Sequence, residues 1–220
     1  MFDEINCKMY DHIRPLHWVD PETAEVTYDM VCIGGGAAGM TAAGGTAFMG
    51  GKALMIERAF MGGDCLVTGC VPSKAFLKSA KVAHMLRNGN GKQFGLDIDG
   101  EVKVDFPKVM ERMRRIRAEI GEKDSAANFS KEYDIDIILG EAKFKNRNTI
   151  TVNGKDIRFL KACICTGGRP RVPEIEGIND VKFYTNENIF NLTKQPKSLL
   201  VVGGGPIGCE LGQGFQRLGT

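Results

Sequence analysis

The chain has 220 residues, of which 25% are charged and 28 are glycine, and its formal net charge is +2. Glycine is nearly double its usual share of about 7%, yet there is no Gly-X-Y period, so a collagen-like rod is excluded. A hydrophobic content of 43% excludes wholesale disorder, the near-balance of charge argues against a dedicated nucleic-acid binder, and the apolar runs are too broken for a membrane span of about 20 residues.

Residues 1–27 read as an N-terminal extension, polar with scattered aromatics and no clear period, laid on the surface of the adjoining domain. Its early acids and missing apolar segment fit neither a signal peptide nor an arginine-rich transit peptide, so a cytoplasmic, reducing setting is expected. Tyr28 to Ile33 is a short apolar strand that stops at three glycines. Ala37 to Phe48 is a small-residue helix and Lys52 to Glu57 a second buried strand, which makes a strand–turn–helix–strand unit. Pro72 to Leu86 is helical, with Pro72 suited to a first turn. Over Asp105–Glu122, Phe106, Val109, Met110, Met113, Ile116 and Ile120 fall on one helical face. The arginines of its RMRRIR run read as the solvated face of that helix rather than as a nucleic-acid stripe.

Ile135–Leu139 is a third strand. Thr149–Val152 and Ile157–Phe159 are joined through Asn153-Gly154, a hairpin signal. Ala162–Cys165 reads as another strand, and Ser198–Val202 as the last, running into a second glycine cluster. The fold class is therefore α/β.

Gly34-Gly35-Gly36-Ala37-Ala38-Gly39 fits G-x-G-x-x-G directly after a strand. In that pattern the first glycine makes the tight turn, the second admits a pyrophosphate, and the third lets helix and strand pack closely. The helix N-terminus then offers free N–H groups to the phosphate. Glu57 closes the second strand about 20 residues on, where a carboxylate can accept from a ribose. A ligand-free glycine turn is the plainer reading, but it leaves Glu57 unexplained. Gly203-Gly204-Gly205-Pro206-Ile207-Gly208 repeats the pattern after Ser198–Val202.

Of the seven cysteines, Cys7, Cys32, Cys163, Cys165 and Cys209 lie in or beside apolar runs and read as packing. No CxxC pairs with another, so no zinc site is expected. Cys65 and Cys70 differ, because they flank a glycine-containing stretch. Five helical residues rise about 7.5 Å, whereas a disulfide needs Cα atoms within about 7 Å. A bonded pair therefore requires a non-helical break, and Thr68-Gly69 makes one feasible. The spacing alone leaves open two unrelated cysteines at a helix start.

MGGDCLVTGCVPSK, with GGGAAG before it, resembles the active-site signature of the pyridine nucleotide–disulfide oxidoreductases, the flavoenzymes of the glutathione reductase, dihydrolipoamide dehydrogenase and mercuric reductase type. GGDC and the later GGGPIGCE are most similar to the mercuric reductase-like branch. The resemblance runs from about Tyr28 to Thr220. It implies a Rossmann-like FAD-binding domain over 28–195, a parallel sheet with helices and a small β-meander. The beginning of an NAD(P)-binding domain comes next over 196–220, with the rest of that domain and the interface domain absent.

On this resemblance FAD lies on Gly34, Gly36, Ala37, Ala38 and Gly39. Glu57 lies on its ribose, and Arg58, Gly63 and Asp64 belong to the same site. Ala142 meets the adenine, and Thr166 and Gly167 bring backbone close to the cofactor. Cys70 is the thiol facing the flavin and Cys65 the interchange thiol. Lys74 stabilises charge on the reduced ring and pairs with Glu210. Gly203, Gly205 and Gly208 hold NADH or NADPH. Val67 departs from the family, which often has asparagine there.

The activity implied is nicotinamide-linked, FAD-dependent redox chemistry, passing electrons from NAD(P)H to a small-molecule disulfide or thiol-ligated metal such as Hg(II), with dihydrolipoamide or another small dithiol an alternative substrate. A flavin-binding module without turnover is a second reading, and the length in hand is expected to be inactive by itself. No nucleic acid or membrane partner is implied. A homodimer is expected for the longer protein and a monomer is open for this length.

Overall fold

The computed structural model describes residues 3–87, 91–96 and 99–220. The chain forms two compact units. One runs to Val67 and resumes over Arg117–Arg169, and the other comprises Thr68–Ile116 and Pro170–Thr220.

The first unit is built on a sheet. Its strands are β1 (Thr27–Ile33), β2 (Ala53–Glu57), β3 (Asp136–Leu139), β4 (Lys143–Asn146), β5 (Thr149–Val152) and β6 (Lys155–Ile164), in the order β3-β2-β1-β6-β5-β4. The pairs β3–β2, β2–β1 and β1–β6 are parallel, and β6–β5 and β5–β4 are antiparallel. This is the Rossmann-like sheet with a β-meander that the motifs imply. All five residues of β2 are buried, as an inner parallel strand requires. Tyr28, Val31, Leu54, Ile138, Ile150 and Ile157 form the core around it, each side chain contributing about 1.5–3 kcal/mol when fully buried.

The hairpin forms where the sequence placed it. Asn153 and Gly154 both have positive φ, 50° and 78°, the mark of a turn that matches strand twist. Ile157–Phe159 and Ala162–Cys165, read as two strands, belong to one. β6 pairs with β5 through Arg158 and with β1 from Arg158 onward, so a single strand serves both neighbours. The helix α2 (Ala37–Phe48) packs on β1 and β2.

Two expectations are corrected in this unit. The N-terminal extension, read as having no clear period, has regular structure. It contains α1 (Glu4–Ile13), capped by Asp3, whose carboxylate accepts from Asn6 N at 2.8 Å. Met9 and Ile13 are fully buried. After α1, Trp18 Nε1 donates to Ile137 O at 3.3 Å, and Asp20 accepts from Leu139 N at 3.3 Å and Asn153 Nδ2 at 2.8 Å. These contacts occupy the open edge of β3, which would otherwise present unpaired backbone groups.

The second correction concerns α5 (Phe106–Lys123). Of its arginines, Arg115 is exposed, but Arg114 is 7% and Arg117 1% exposed. Arg117, in the first unit, donates to Val67 O at 2.7 Å and to Asn6 Oδ1 at 2.5 Å. A guanidinium has five donors on a rigid fork, so a carbonyl and an amide can hold it inside. Short helices α3 (Gly63–Val67) and α6 (Ala126–Tyr133) complete the unit.

The second unit is helical: α4 (Cys70–Leu86), the first turns of α5, α7 (Asn186–Ile189) and α8 (Pro206–Leu218). Phe76, Phe106, Met110, Met113, Phe190 and Phe215 form its core. Phe215 stacks 4.8 Å from Phe76, and a Cβ on Gly214 would lie 2.6 Å from the Phe76 ring. Small residues on α8 thus let it approach α4. Ser198–Val202 forms no strand, and Leu200 and Val202 are 90% and 64% exposed. A strand exists only with a hydrogen-bonded neighbour, and none of the described strands lies beside this segment. No helix among the described residues is long and apolar enough to cross a membrane.

Candidate functional site

The first glycine turn leaves β1 and enters α2. Gly34 has φ 114° and donates to Ile56 O at 2.8 Å. A Cβ there would lie 2.2 Å from Cys165 O, so no side chain fits. A Cβ on Gly39 would lie 1.7 Å from Gly34 O, so the third glycine is what lets α2 sit against the turn.

Gly36 caps α2 with no side-chain hydrogen bond, which leaves the helix N-terminus open. A Cβ at Gly36 would meet only Gly63 Cα, at 3.7 Å. It would project into open space before α2, the space a phosphate uses at a helix N-terminus. The residues present therefore fit the pyrophosphate of a dinucleotide. Ala37 and Ala38, in the first turn of α2, are exposed.

Glu57 is only 7% exposed. Its Oε2 accepts from Gly35 N and its Oε1 from Ala59 N, each at 2.5 Å. The carboxylate thus ties the glycine turn to the loop after β2. A carboxylate has about four lone-pair sites, so acceptor capacity remains for ribose hydroxyls.

Residues 58–63 close against the same turn. Gly62 N donates to Gly35 O at 2.8 Å, and Gly36 and Gly62 form a parallel bridge. α1 grips this loop from its C-terminal end. Arg14 Nη1 donates to Arg58 O and to Ala59 O, Met61 N donates to Ile13 O at 3.0 Å, and the Tyr10 and Phe60 rings lie 5.0 Å apart. Arg58 and Asp64 are exposed, Ala142 and Gly63 half-buried, and Thr166 and Gly167 exposed at the end of β6.

Cys65 lies within α3 and is half-buried, and Cys70 opens α4 and is exposed. Between them Thr68 and Gly69 are non-helical, with Gly69 at φ −127° and ψ −113°. This is the break a five-residue spacing requires. Both sulfurs are thiols. The backbone carbonyl of Val67, between the two cysteines, is the one Arg117 holds.

In the second unit, Gly203 has φ 112°, Gly205 caps α8, and a Cβ on Gly208 would lie 2.7 Å from Gly203 O. The turn repeats the first in miniature. Lys74 and Glu210 are both exposed, and no ion pair joins them among the described residues, contrary to expectation. Each stands on the solvated side of its helix, where a long side chain gains little from pairing.

Sequence reasoning missed α1, Arg14 and Arg117. A signal for α1 was present: Asp3 before the helix, and Asn6, Met9 and Ile13 spaced for one face. For Arg117 there was none, because an arginine on an amphipathic helix looks the same whether solvated or buried against carbonyls.

The family description for pyridine nucleotide-disulphide oxidoreductases matches residues 28–220. The chain belongs to that family. It is 35% identical over 196 residues to a mercuric reductase of Lysinibacillus sphaericus, covering 89% of this chain and 35% of the relative. It is 32% identical over 197 residues to a dihydrolipoyl dehydrogenase of Acholeplasma laidlawii, covering 88% of this chain and 57% of the relative. Among solved structures it is similar to the HOCl-induced flavoprotein disulfide reductase RclA from Escherichia coli, with a TM-score of 0.70 and 29% identity over 88% of this chain and 40% of RclA. The chain thus spans about a third of the length of these mercuric reductases.

Proposed function

We propose that the chain is the FAD-binding, thiol-bearing part of a flavoprotein oxidoreductase that links NAD(P)H to a small disulfide, dithiol or thiol-ligated metal. One observation carries the reading. The loop that leads into Cys65 is hydrogen-bonded backbone to backbone with the first glycine turn, through Gly62 N and Gly35 O. A cofactor held on that turn is thereby tied to the segment that carries the thiol.

FAD would be held by the N–H groups of Gly36, Ala37 and Ala38 at its pyrophosphate, by Glu57 and Arg58 at its ribose, and by Gly63, Asp64, Ala142, Thr166 and Gly167 around it. When bound, it supplies two-electron redox chemistry between a nicotinamide and a disulfide. Cys65 is the thiol that meets substrate. Its thiolate attacks one sulfur of a substrate disulfide, forming a mixed disulfide and releasing the other sulfur as a thiol. Cys70 then attacks Cys65, closing the Cys65–Cys70 disulfide and releasing the second substrate thiol. Lys74 adds positive charge one turn along α4, and Glu210 stands unpaired with it on α8. Gly203, Gly205 and Gly208 would bind the nicotinamide dinucleotide.

In this reading 28–195 is the flavin domain and 196–220 the start of the nicotinamide domain. The longer protein works as a homodimer in a reducing, cytosol-like compartment that keeps its thiols available. Soft thiolates also suit Hg(II) as substrate.

The test uses the chain as it stands. After incubation with FAD and gel filtration, one flavin per chain should co-elute, and mild oxidation should link Cys65 to Cys70 in a peptide map. A colourless chain with both cysteines still alkylable would overturn the proposal.

A further inference from the structure

Outside the Cys65–Cys70 segment, three more cysteines converge on the sheet beneath the first glycine turn. Cys163 lies in β6 and Cys165 comes directly after its last residue, and their Sγ atoms are 3.3 Å apart. Residues two apart along a strand face the same side, which brings both thiols together. Cys32 in β1 is directly opposite Cys163 in the parallel ladder and fully buried. Cys163 and Cys165, by contrast, are only half-buried. Among the described residues no three metal-ligating side chains are arranged to hold a metal ion, which leaves the two-sulfur pair.

We propose that Cys163 and Cys165 form a second dithiol site, one that chelates a trivalent arsenical. An aryl arsenoxide condenses with two thiols. Two As–S bonds form, the As=O bond breaks, and the two thiol protons leave with that oxygen as water. No electrons are transferred, so no oxidant or reductant is needed. The two sulfurs are already in contact on one strand end, so chelation closes a small ring without ordering a loop.

The strand end is also rigid. Cys165 N donates to Ile33 O at 2.8 Å, and Cys165 O lies against Gly34, the first residue of the glycine turn. The geometry thus gives the flavin domain a thiophile-sensitive point separate from the Cys65–Cys70 pair.

The experiment removes the other dithiol first. The full chain carrying Cys65→Ser and Cys70→Ser is treated with phenylarsine oxide and weighed intact. One phenylarsenic adduct per chain is expected, resistant to excess glutathione and removed by dithiothreitol. Adding either Cys163→Ser or Cys165→Ser should abolish it, whereas adding Cys7→Ser or Cys209→Ser should leave it. Circular dichroism checks each variant, and Cys165→Ala replaces Cys165→Ser if that variant does not fold. Absence of a glutathione-resistant adduct, or an adduct that survives loss of either sulfur, overturns the proposal. No flavin enters the assay, so its outcome is independent of the FAD reading.

Discussion

The two glycine turns are the same local structure in different surroundings. Gly34 and Gly203 have φ of 114° and 112°. Gly36 and Gly205 each cap a helix with extended backbone. Gly39 and Gly208 each lie over the carbonyl of the first glycine of their turn. Yet the first turn hangs from β1, which is paired on both sides, and the second comes after an exposed segment with no strand partner. Turn and helix start are therefore encoded within about six residues, whereas the strand before them depends on neighbours far along the chain.

The largest difference should appear on adding one methyl group. At Gly39 a Cβ would sit 1.7 Å from the Gly34 carbonyl oxygen, against 2.7 Å from that of Gly203 at Gly208. Gly39→Ala should cost about 3 kcal/mol, since overpacking a fixed site costs in this range, and Gly208→Ala about 1 kcal/mol. Urea denaturation of the full chain measures both, and equal losses would break the comparison.

Buried arginine sets the units apart in the same way. Arg117 is enclosed and holds Val67 O and Asn6, whereas Arg112 is half-buried and donates to Ala75 O at 3.1 Å. Arg117→Met leaves a buried carbonyl and amide without their donor and should cost about 2–3 kcal/mol. Arg112→Met should cost about 1 kcal/mol or less, and the reverse ranking would refute the buried-clamp reading.

Alkali probes the first turn through Cys32. Burial, then the nearby Cys163 and Cys165 thiols, push Cys32 from 9.0 up to about 12. Between these values the unfolded chain releases a proton that the folded chain keeps, so stability falls as pH rises. This thiol should remove up to about 1.4 kcal/mol per pH unit above pH 9. Cys32→Ala should flatten the slope of an unfolding free-energy profile between pH 9 and 11, and an unchanged slope would count against it.

The smallest effect on folding should be the most telling for function. Gly36→Ala meets only one atom, at 3.7 Å, and Gly205→Ala meets none. Both should fold within about 1 kcal/mol of the parent. Gly36→Ala should nevertheless weaken FAD by about tenfold, ~1.4 kcal/mol, while Gly205→Ala leaves it unchanged. Flavin fluorescence titration separates the two.

Much of the site was legible because its rules are local. A glycine spacing, a strand-end acid and two cysteines flanking Thr68-Gly69 each act through backbone geometry within a few residues, and Glu57 lies beside the turn as its position implied. The hairpin at Asn153-Gly154 and the helices α2 and α5 were legible for the same reason. What the sequence alone determined is thus the turns, the helix periods and the family signature.

Tertiary structure decided the rest. Burial turned Arg117 inward, because Val67 O and Asn6 supplied acceptors that no local pattern announces. A missing neighbour left Ser198–Val202 without a strand despite its apolar run. An open sheet edge drew in Trp18 and Asp20 from a stretch that has no period of its own. For Arg117, Trp18 and Asp20 the deciding partner lies tens of residues away or more, and a backbone or charged group takes whatever hydrogen bond the folded chain brings to it.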